Sequence, residues 1–338
     1  MRKINEILNS NNLFRQKIET DTNKMEENRF LKETKAESKT IDSIDVSVII
    51  PCKNEVTTLK ETVDSIMKSD NSLSFEIIVV DDGSTDLSIE FLLSNLDKDV
   101  YKDVVLVRTN NIGAAQARNS GARIAKGKYL FFCDAHVKVP DRWLDDLVST
   151  LKSFGGHLVA PCITDMFNVA AAGYGQTWDD HLKITWLTNK PKDIVEIPIA
   201  CGCAFGITKE AFEKVNGFDN FFQVWGKEDE ELCFKAWSYG YKILVNPEVK
   251  VQHLFRASHP YKVTAANVTY NMLCLAYSHF GRKRIYNTIQ IAKNDLFFST
   301  AVENIKSNSD LIFKQREKYL RERIYNDDFF FDKFSISF

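Results

Sequence analysis

Along residues 46–51 the chain reads Val46-Ser47-Val48-Ile49-Ile50-Pro51, a β-branched run broken once by serine, the pattern of a strand buried on both faces. Val56, Leu59, Val63 and Ile66 follow at helical spacing, and Phe75 to Val80 then makes a second apolar run. Together these predict a βαβ unit. Strand-like Val104 to Val107, a helix-forming stretch from Ala114 to Lys126 and the strand Tyr129 to Cys133 continue the alternation. The expected fold class is therefore α/β, a Rossmann-like, mostly parallel, doubly wound sheet with helices on both faces. Beyond residue 150 the pattern predicts strands at Leu158 to Pro161 and Ala200 to Ile207. Helices are expected from Lys209 to Val215 and from Asp229 to Tyr239, the second stopping at Gly240. After Pro260 the pattern is helical and aromatic, closing on Phe329-Phe330-Phe331. Residues 1–42 interleave charges with sparse apolar positions, so the expected division is a charged helical or partly disordered arm at 1–42, an α/β domain at 43–260 and a helical C-terminal extension at 261–338.

Composition narrows the partners. With 338 residues and 44% hydrophobic content the chain can bury one large core, and a net charge of -2 supplies no basic field for nucleic acid. Seven cysteines, odd in number and mostly within apolar strings, suit buried thiols in a reducing, cytoplasmic setting better than a disulfide framework. No apolar run approaches the roughly 20 residues of a membrane-spanning helix, so no transmembrane anchor is expected. The aromatic C-terminal helices leave peripheral membrane contact open, and no feature sets an oligomeric state.

Five segments carry chemistry. Val80-Asp81-Asp82-Gly83-Ser84 ends a buried strand in two carboxylates and a glycine, at the edge where open α/β sheets bind ligands. Ser84 and Asp86 also read as turn and cap residues. Cys133-Asp134-Ala135-His136 delivers an acid and a histidine from another strand end. Oxygen and imidazole ligands suit Mn²⁺, with Mg²⁺ the alternative, and such an ion would stabilise a diphosphate leaving group. Alone, the tripeptide reads equally as a loop acid beside a structural histidine. Cys201-Gly202-Cys203 reads as small residues at a close approach, with a thiolate metal site the minor alternative. In Trp225-Gly226-Lys227-Glu228-Asp229-Glu230-Glu231 the helix dipole accounts for Glu230 and Glu231, whereas Glu228 and Asp229 sit where one carboxylate could take a proton from an acceptor. Finally, Val251-Gln252-His253-Leu254-Phe255-Arg256 offers His253 to a metal and Arg256 to phosphates, against the reading of a structural histidine.

In this order the segments resemble family 2 type glycosyltransferases with the GT-A fold, over residues 45 to about 260. Val46 to Glu55, which contains Pro51, resembles the opening strand and loop. Asp81-Asp82-Gly83-Ser84 resembles the uridine-binding carboxylates, Asp82 meeting the uracil, and Arg118-Asn119-Ser120-Gly121 the helix beside the donor. Asp134-Ala135-His136, Trp225-Gly226, Glu228 and the His253-to-Arg256 string are similar to motifs of polypeptide N-acetylgalactosaminyltransferases. The resemblance implies a metal held by Asp134, His136 and His253, and a donor site drawing on Pro51, Glu55, Asp82, Arg118, Asp134, Trp225 and Arg256. It implies a UDP-sugar donor and a peptide, protein or glycan acceptor. The chain reads Glu228-Asp229 where those enzymes carry Glu-Asn. That pair is similar to the acids of inverting members, so Asp229, with Glu228 beside it, is expected as the base, retention being the alternative.

Two other functions compete. One is a catalytically inactive nucleotide-sugar-binding scaffold, which intact ligand and base positions argue against. The other is a sugar nucleotidyltransferase, for which Pro51-Cys52-Lys53-Asn54-Glu55 lacks a glycine-rich basic phosphate loop. The stretch from Pro161 to Pro198 is expected to be a mobile acceptor loop.

Overall fold

The computed structural model describes residues 43–95 and 99–338, so the expected N-terminal arm lies outside the described residues. Strands β1 (Val46–Cys52), β2 (Phe75–Asp82), β3 (Val104–Thr109) and β4 (Tyr129–Cys133) pair in parallel, in the order β4-β1-β2-β3. β1 and β2 are buried almost throughout, which is why both read as continuous apolar runs rather than alternating ones. Helix α1 (Leu59–Lys68) turns Leu59, Val63 and Ile66 inward as its spacing predicts. A four-residue helix α2 (Glu90–Leu93) follows β2, and helix α3 (Ala114–Ile124) joins β3 to β4. A Cβ at Gly121 would lie 2.5 Å from Ile49 Cγ2, so this glycine lets α3 press onto β1.

The rest of the sheet is mixed. After β5 (Val137–Lys138) and helix α4 (Trp143–Phe154) come β6 (Leu158–Asp165), β7 (Ala172–Gly173), β8 (Gln176–Trp178), β9 (Ile184–Trp186), β10 (Val195–Glu196), β11 (Ala204–Thr208) and β12 (Ile243–His253). β11 lies antiparallel between β4 and β6, β12 runs parallel to β6, and β8 with β9 forms a separate hairpin. Helices α5 (Lys209–Lys214) and α6 (Glu228–Ser238) fill the connection to β12. This is the large, mainly parallel α/β sheet that the alternating pattern predicted.

Residues 161–198 are not the loose loop that their composition suggested. They carry short strands, and Trp178 is buried against Phe234, Phe330 and Phe331 with its indole N–H donating to Glu230. A large apolar ring with a satisfied N–H anchors such a segment. Helices α7 (Ala265–His279), α8 (Arg282–Ala292), α9 (Phe298–Ser307), α10 (Ser309–Glu322) and α11 (Asp327–Lys333) complete the chain and share a single hydrophobic cluster with α6 and one face of the sheet. Among the described residues no helix is long and apolar enough to cross a membrane.

Candidate active site

Parallel pairing brings the ends of β1, β2 and β4 to one edge, and the loops after them line a cavity of about 1070 Å³. Of the residues named above for metal, donor or proton transfer, Pro51, Glu55, Asp82, Arg118, Asp134, His136, Trp225, Glu228, Asp229, His253 and Arg256 line it, whereas fully buried Asp81 does not. Unassigned by the sequence reading, Lys53, His181, His259 and Tyr261 line it too, as does Cys201.

The floor is built from strand ends. β11 pairs with β4 through Ala204 and Cys133, and the Asp134 N–H donates to the Cys203 carbonyl at 3.0 Å. β5 pairs with the end of β12, His253 opposite Val137, so His136 and His253 become neighbours across the sheet. Their ring centroids are 4.9 Å apart. Asp134 Oδ2 faces His253 Nε2 at 3.4 Å and His136 Nε2 at 3.9 Å. One ligand atom from each of the three lies within 4.8 Å of the others, and both ring nitrogens of buried His253 lack a hydrogen-bond partner. Orphaned buried imidazole nitrogens facing a carboxylate fit a divalent cation. Burial pushes the Asp134 carboxyl up, but His253 facing it at 3.4 Å and the charges of His136 and Arg118 hold it well below the usual range.

Two arginines are engaged by carboxylates. Arg118 on α3 donates from Nη1 to Glu228 Oε1 at 3.0 Å and from Nη2 to Asp134 Oδ1 at 3.1 Å, tying the cavity floor to the start of α6. Arg256 grips Glu55 in a two-pronged pair at 2.8 and 2.6 Å. Glu55 Oε1 also lies 3.3 Å from His136 Nδ1, so one carboxylate links a candidate ligand to the loop after β12. Against the upward push of burial, His136 and Arg256 hold the Glu55 carboxyl at about 2.

Asp82 is held by the end of β3 and the segment that follows it. Its Oδ1 accepts from the Thr109 hydroxyl and the Ile112 N–H, and its Oδ2 from the Gly113 N–H, each at 2.8 Å. That leaves a carboxylate with spare lone pairs facing the cavity. Gly113 adopts φ +88°, and a Cβ there would meet Val224 N at 3.0 Å, so glycine allows α3 to start against the Val224 carbonyl. Trp225 beside it is half-exposed and packs on His259 with ring centroids 4.4 Å apart.

At the opposite wall, Glu228 accepts from the Gly226 N–H at 2.6 Å as well as from Arg118. Burial pushes its carboxyl up to about 7, the charge of Asp229 adding to the push and Arg118 opposing it. Asp229 is half-buried and accepts from the Gly202 N–H at 2.8 Å through Oδ2 and from Glu230 N–H at 3.0 Å through Oδ1. Glu230 and Glu231 turn away to other partners: Glu230 takes Lys227 and Trp178, and Glu231 takes Lys235 and His279. The helix dipole alone does not describe them.

Comparison with known proteins accords with this geometry. The profile of glycosyl transferase family 2 matches residues 47–215, half of the chain, and that of the N-terminal domain of galactosyltransferase matches residues 188–260. The chain belongs to glycosyl transferase family 2. More particularly, it is 30% identical over 239 residues to the probable N-acetylgalactosaminyltransferase 9 of Caenorhabditis elegans, covering 65% of this chain and 41% of that protein. To the human polypeptide N-acetylgalactosaminyltransferase 14 it is 32% identical over 234 residues, covering 64% and 41%. The chain thus spans about two fifths of the length of these relatives. In fold it is similar to GalNAc-T7, crystallised with UDP, GalNAc and Mn²⁺, at a TM-score of 0.70 and 23% identity over 87% of this chain and 57% of that one. Staphylococcus aureus TarS 1–349 with UDP-GlcNAc gives 0.51 at 17% identity over 78% and 73%.

Proposed function

We propose that this protein is a metal-dependent glycosyltransferase that moves a sugar from a UDP-sugar to a hydroxyl of a peptide, protein or glycan. The observation that carries the reading is the convergence of Asp134, His136 and His253 on the floor of the cavity that Asp82 and Asp229 also line. Its N-acetylgalactosaminyltransferase relatives support an N-acetylhexosaminyl donor.

Asp134, His136 and His253 would hold a divalent cation, Mn²⁺ before Mg²⁺, which supplies charge neutralisation to a departing diphosphate. Asp82 positions the uracil and, with Pro51 and Trp225, the nucleotide side of the donor. Arg118 and Glu55 act by fixing the ligands and Arg256 rather than by gripping phosphate alone. Asp229 takes the acceptor proton, and the Gly202 and Glu230 N–H groups hold its carboxylate in place. Glu228 shapes the turn that presents Asp229. With Asp229 as base the acceptor attacks from the side away from the diphosphate, which makes the transfer inverting. Seven free thiols accord with a reducing, cytoplasmic setting.

The test is UDP release from a panel of UDP-sugars with and without Mn²⁺. The proposal expects turnover of at least one donor that stops on chelation, whereas folded protein that binds and hydrolyses none of them would overturn it.

A further inference from the structure

The Cys201-Gly202-Cys203 turn lies at the centre of the site, and neither metal nor donor binding uses its thiols. All three residues line the cavity. Six of the seven cysteines are buried, and Cys201 alone is partly exposed. Cys203 on the same turn is 3% exposed and also lines the cavity. The two are a pair, not a lone cysteine. They stand two residues apart in a turn closed by the Ala204 N–H on the Cys201 carbonyl at 3.3 Å. That spacing keeps their Cα atoms within about 7 Å, the reach of a disulfide.

Each peptide group of the turn touches a residue of the proposed machinery. The Gly202 N–H holds Asp229 Oδ2 at 2.8 Å, the Gly202 carbonyl accepts from Arg118 at 3.4 Å, and the Cys203 carbonyl accepts from the Asp134 N–H at 3.0 Å. There is no slack, because a Cβ on Gly202 would sit 2.8 Å from Asp229 Oδ2. A covalent change at the thiols must move this turn, and with it the base and the metal floor.

We propose that Cys201 and Cys203 form a reversible modification site that takes peroxide-class oxidants and, once oxidised, disables the site for nucleotide sugar. This rests on the transferase reading only for its consequence, not for the chemistry. The Cys201 thiolate attacks the O–O bond of hydrogen peroxide, giving a sulfenic acid and, after proton transfer, one water. The Cys203 sulfur then displaces the second oxygen as water and closes the disulfide. Two thiols are oxidised, one peroxide is reduced and two waters leave. A dithiol reductant reverses the step.

The experiment treats the full chain with substoichiometric to stoichiometric hydrogen peroxide, alkylates the remaining thiols and maps them by mass spectrometry. UDP and Mn²⁺ binding are measured by calorimetry on the same samples. The expected result is a Cys201–Cys203 peptide lighter by two hydrogens and unalkylated while the other five cysteines stay reduced, with UDP affinity at least tenfold weaker and restored by dithiothreitol. Cys201→Ser and Cys203→Ser should each form no such peptide and keep their UDP affinity under the same peroxide. Cys201 staying reduced, or oxidation of the pair that leaves UDP and Mn²⁺ affinity unchanged, would overturn the proposal. Failure of the transferase reading looks different: reduced native protein would then bind no UDP at all, while the disulfide would still be read by mass.

Discussion

Arg118 is 3% exposed and shares its guanidinium between two carboxylates from distant parts of the chain, Asp134 after β4 and Glu228 at the start of α6. Removing one partner of a buried network leaves the others charged and unpaired. Arg118→Met is therefore expected to cost about 3–5 kcal/mol of stability in urea unfolding, far more than loss of a surface phosphate contact. Asp229 is separable from such effects. Asp229→Asn keeps a hydrogen-bond acceptor for Gly202 but removes the basic oxygen, so donor affinity should hold within a few-fold while turnover falls by about 10²–10⁴, read as a split between UDP binding and UDP release. Asp82, Asp134, His136 and His253 were legible because acids and histidines at strand ends have few structural duties that require them in that order. What Glu55, Arg118 and Arg256 do was not legible. Their carboxylate and guanidinium partners are contributed by segments up to 201 residues away, and a linear pattern does not reveal which charges neutralise one another.

Helix α6 shows the same limit for a whole element. Its acids Glu230 and Glu231 suggested dipole stabilisation, yet Glu231 is fully buried in a cluster with Asp219 from the preceding loop, Lys235 one turn later, His279 of α7 and Tyr319 of α10. Lys235 lies 3.2 Å from Asp219 and 3.1 Å from Glu231, and His279 Nε2 lies 2.7 Å from Glu231. Burial lowers the His279 imidazole to about 3, aided by Lys235, Arg323 and Arg316 and opposed by Asp219. Because its folded value is below the unfolded one near 6.5, the unfolded chain takes up the proton first, and stability is lost as pH falls through 6.5 toward 3. Asp219 and Glu231, both raised by burial, work in the opposite sense, so the histidine's part is isolated by substitution. Between pH 7.5 and 5, native protein is expected to lose about 2 kcal/mol more than His279→Gln in matched urea titrations. Equal losses would remove the histidine from the account.

For the molecule as a whole, alternating strand and helix patterns specified the parallel half of the sheet because each of those elements buries its own apolar run. The strand that became β11 was expected, but its antiparallel place between β4 and β6 and the hairpin of β8 and β9 were not, since short strands carry little periodicity and their pairing is set by distant partners. The C-terminal helices read as an extension in sequence, yet Phe330 and Phe331 pack with Phe234 of α6 and with Trp178, and Phe331 with Phe280 just after α7. Phe331→Ala should therefore destabilise the entire fold by about 3–5 kcal/mol, in one cooperative transition seen alike by tryptophan fluorescence and circular dichroism. Loss of signal from the C-terminal helices alone would contradict that continuity. The central claim concerns the metal, and it is tested most directly by Mn²⁺ titration in the presence of UDP, followed by electron paramagnetic resonance, for native protein, His136→Ala and His253→Ala. The account predicts one tightly held Mn²⁺ in native protein and at least tenfold weaker binding in each variant with the fold retained. Native protein that holds no Mn²⁺ with UDP, or a His253→Ala variant that binds it equally well, would contradict the account.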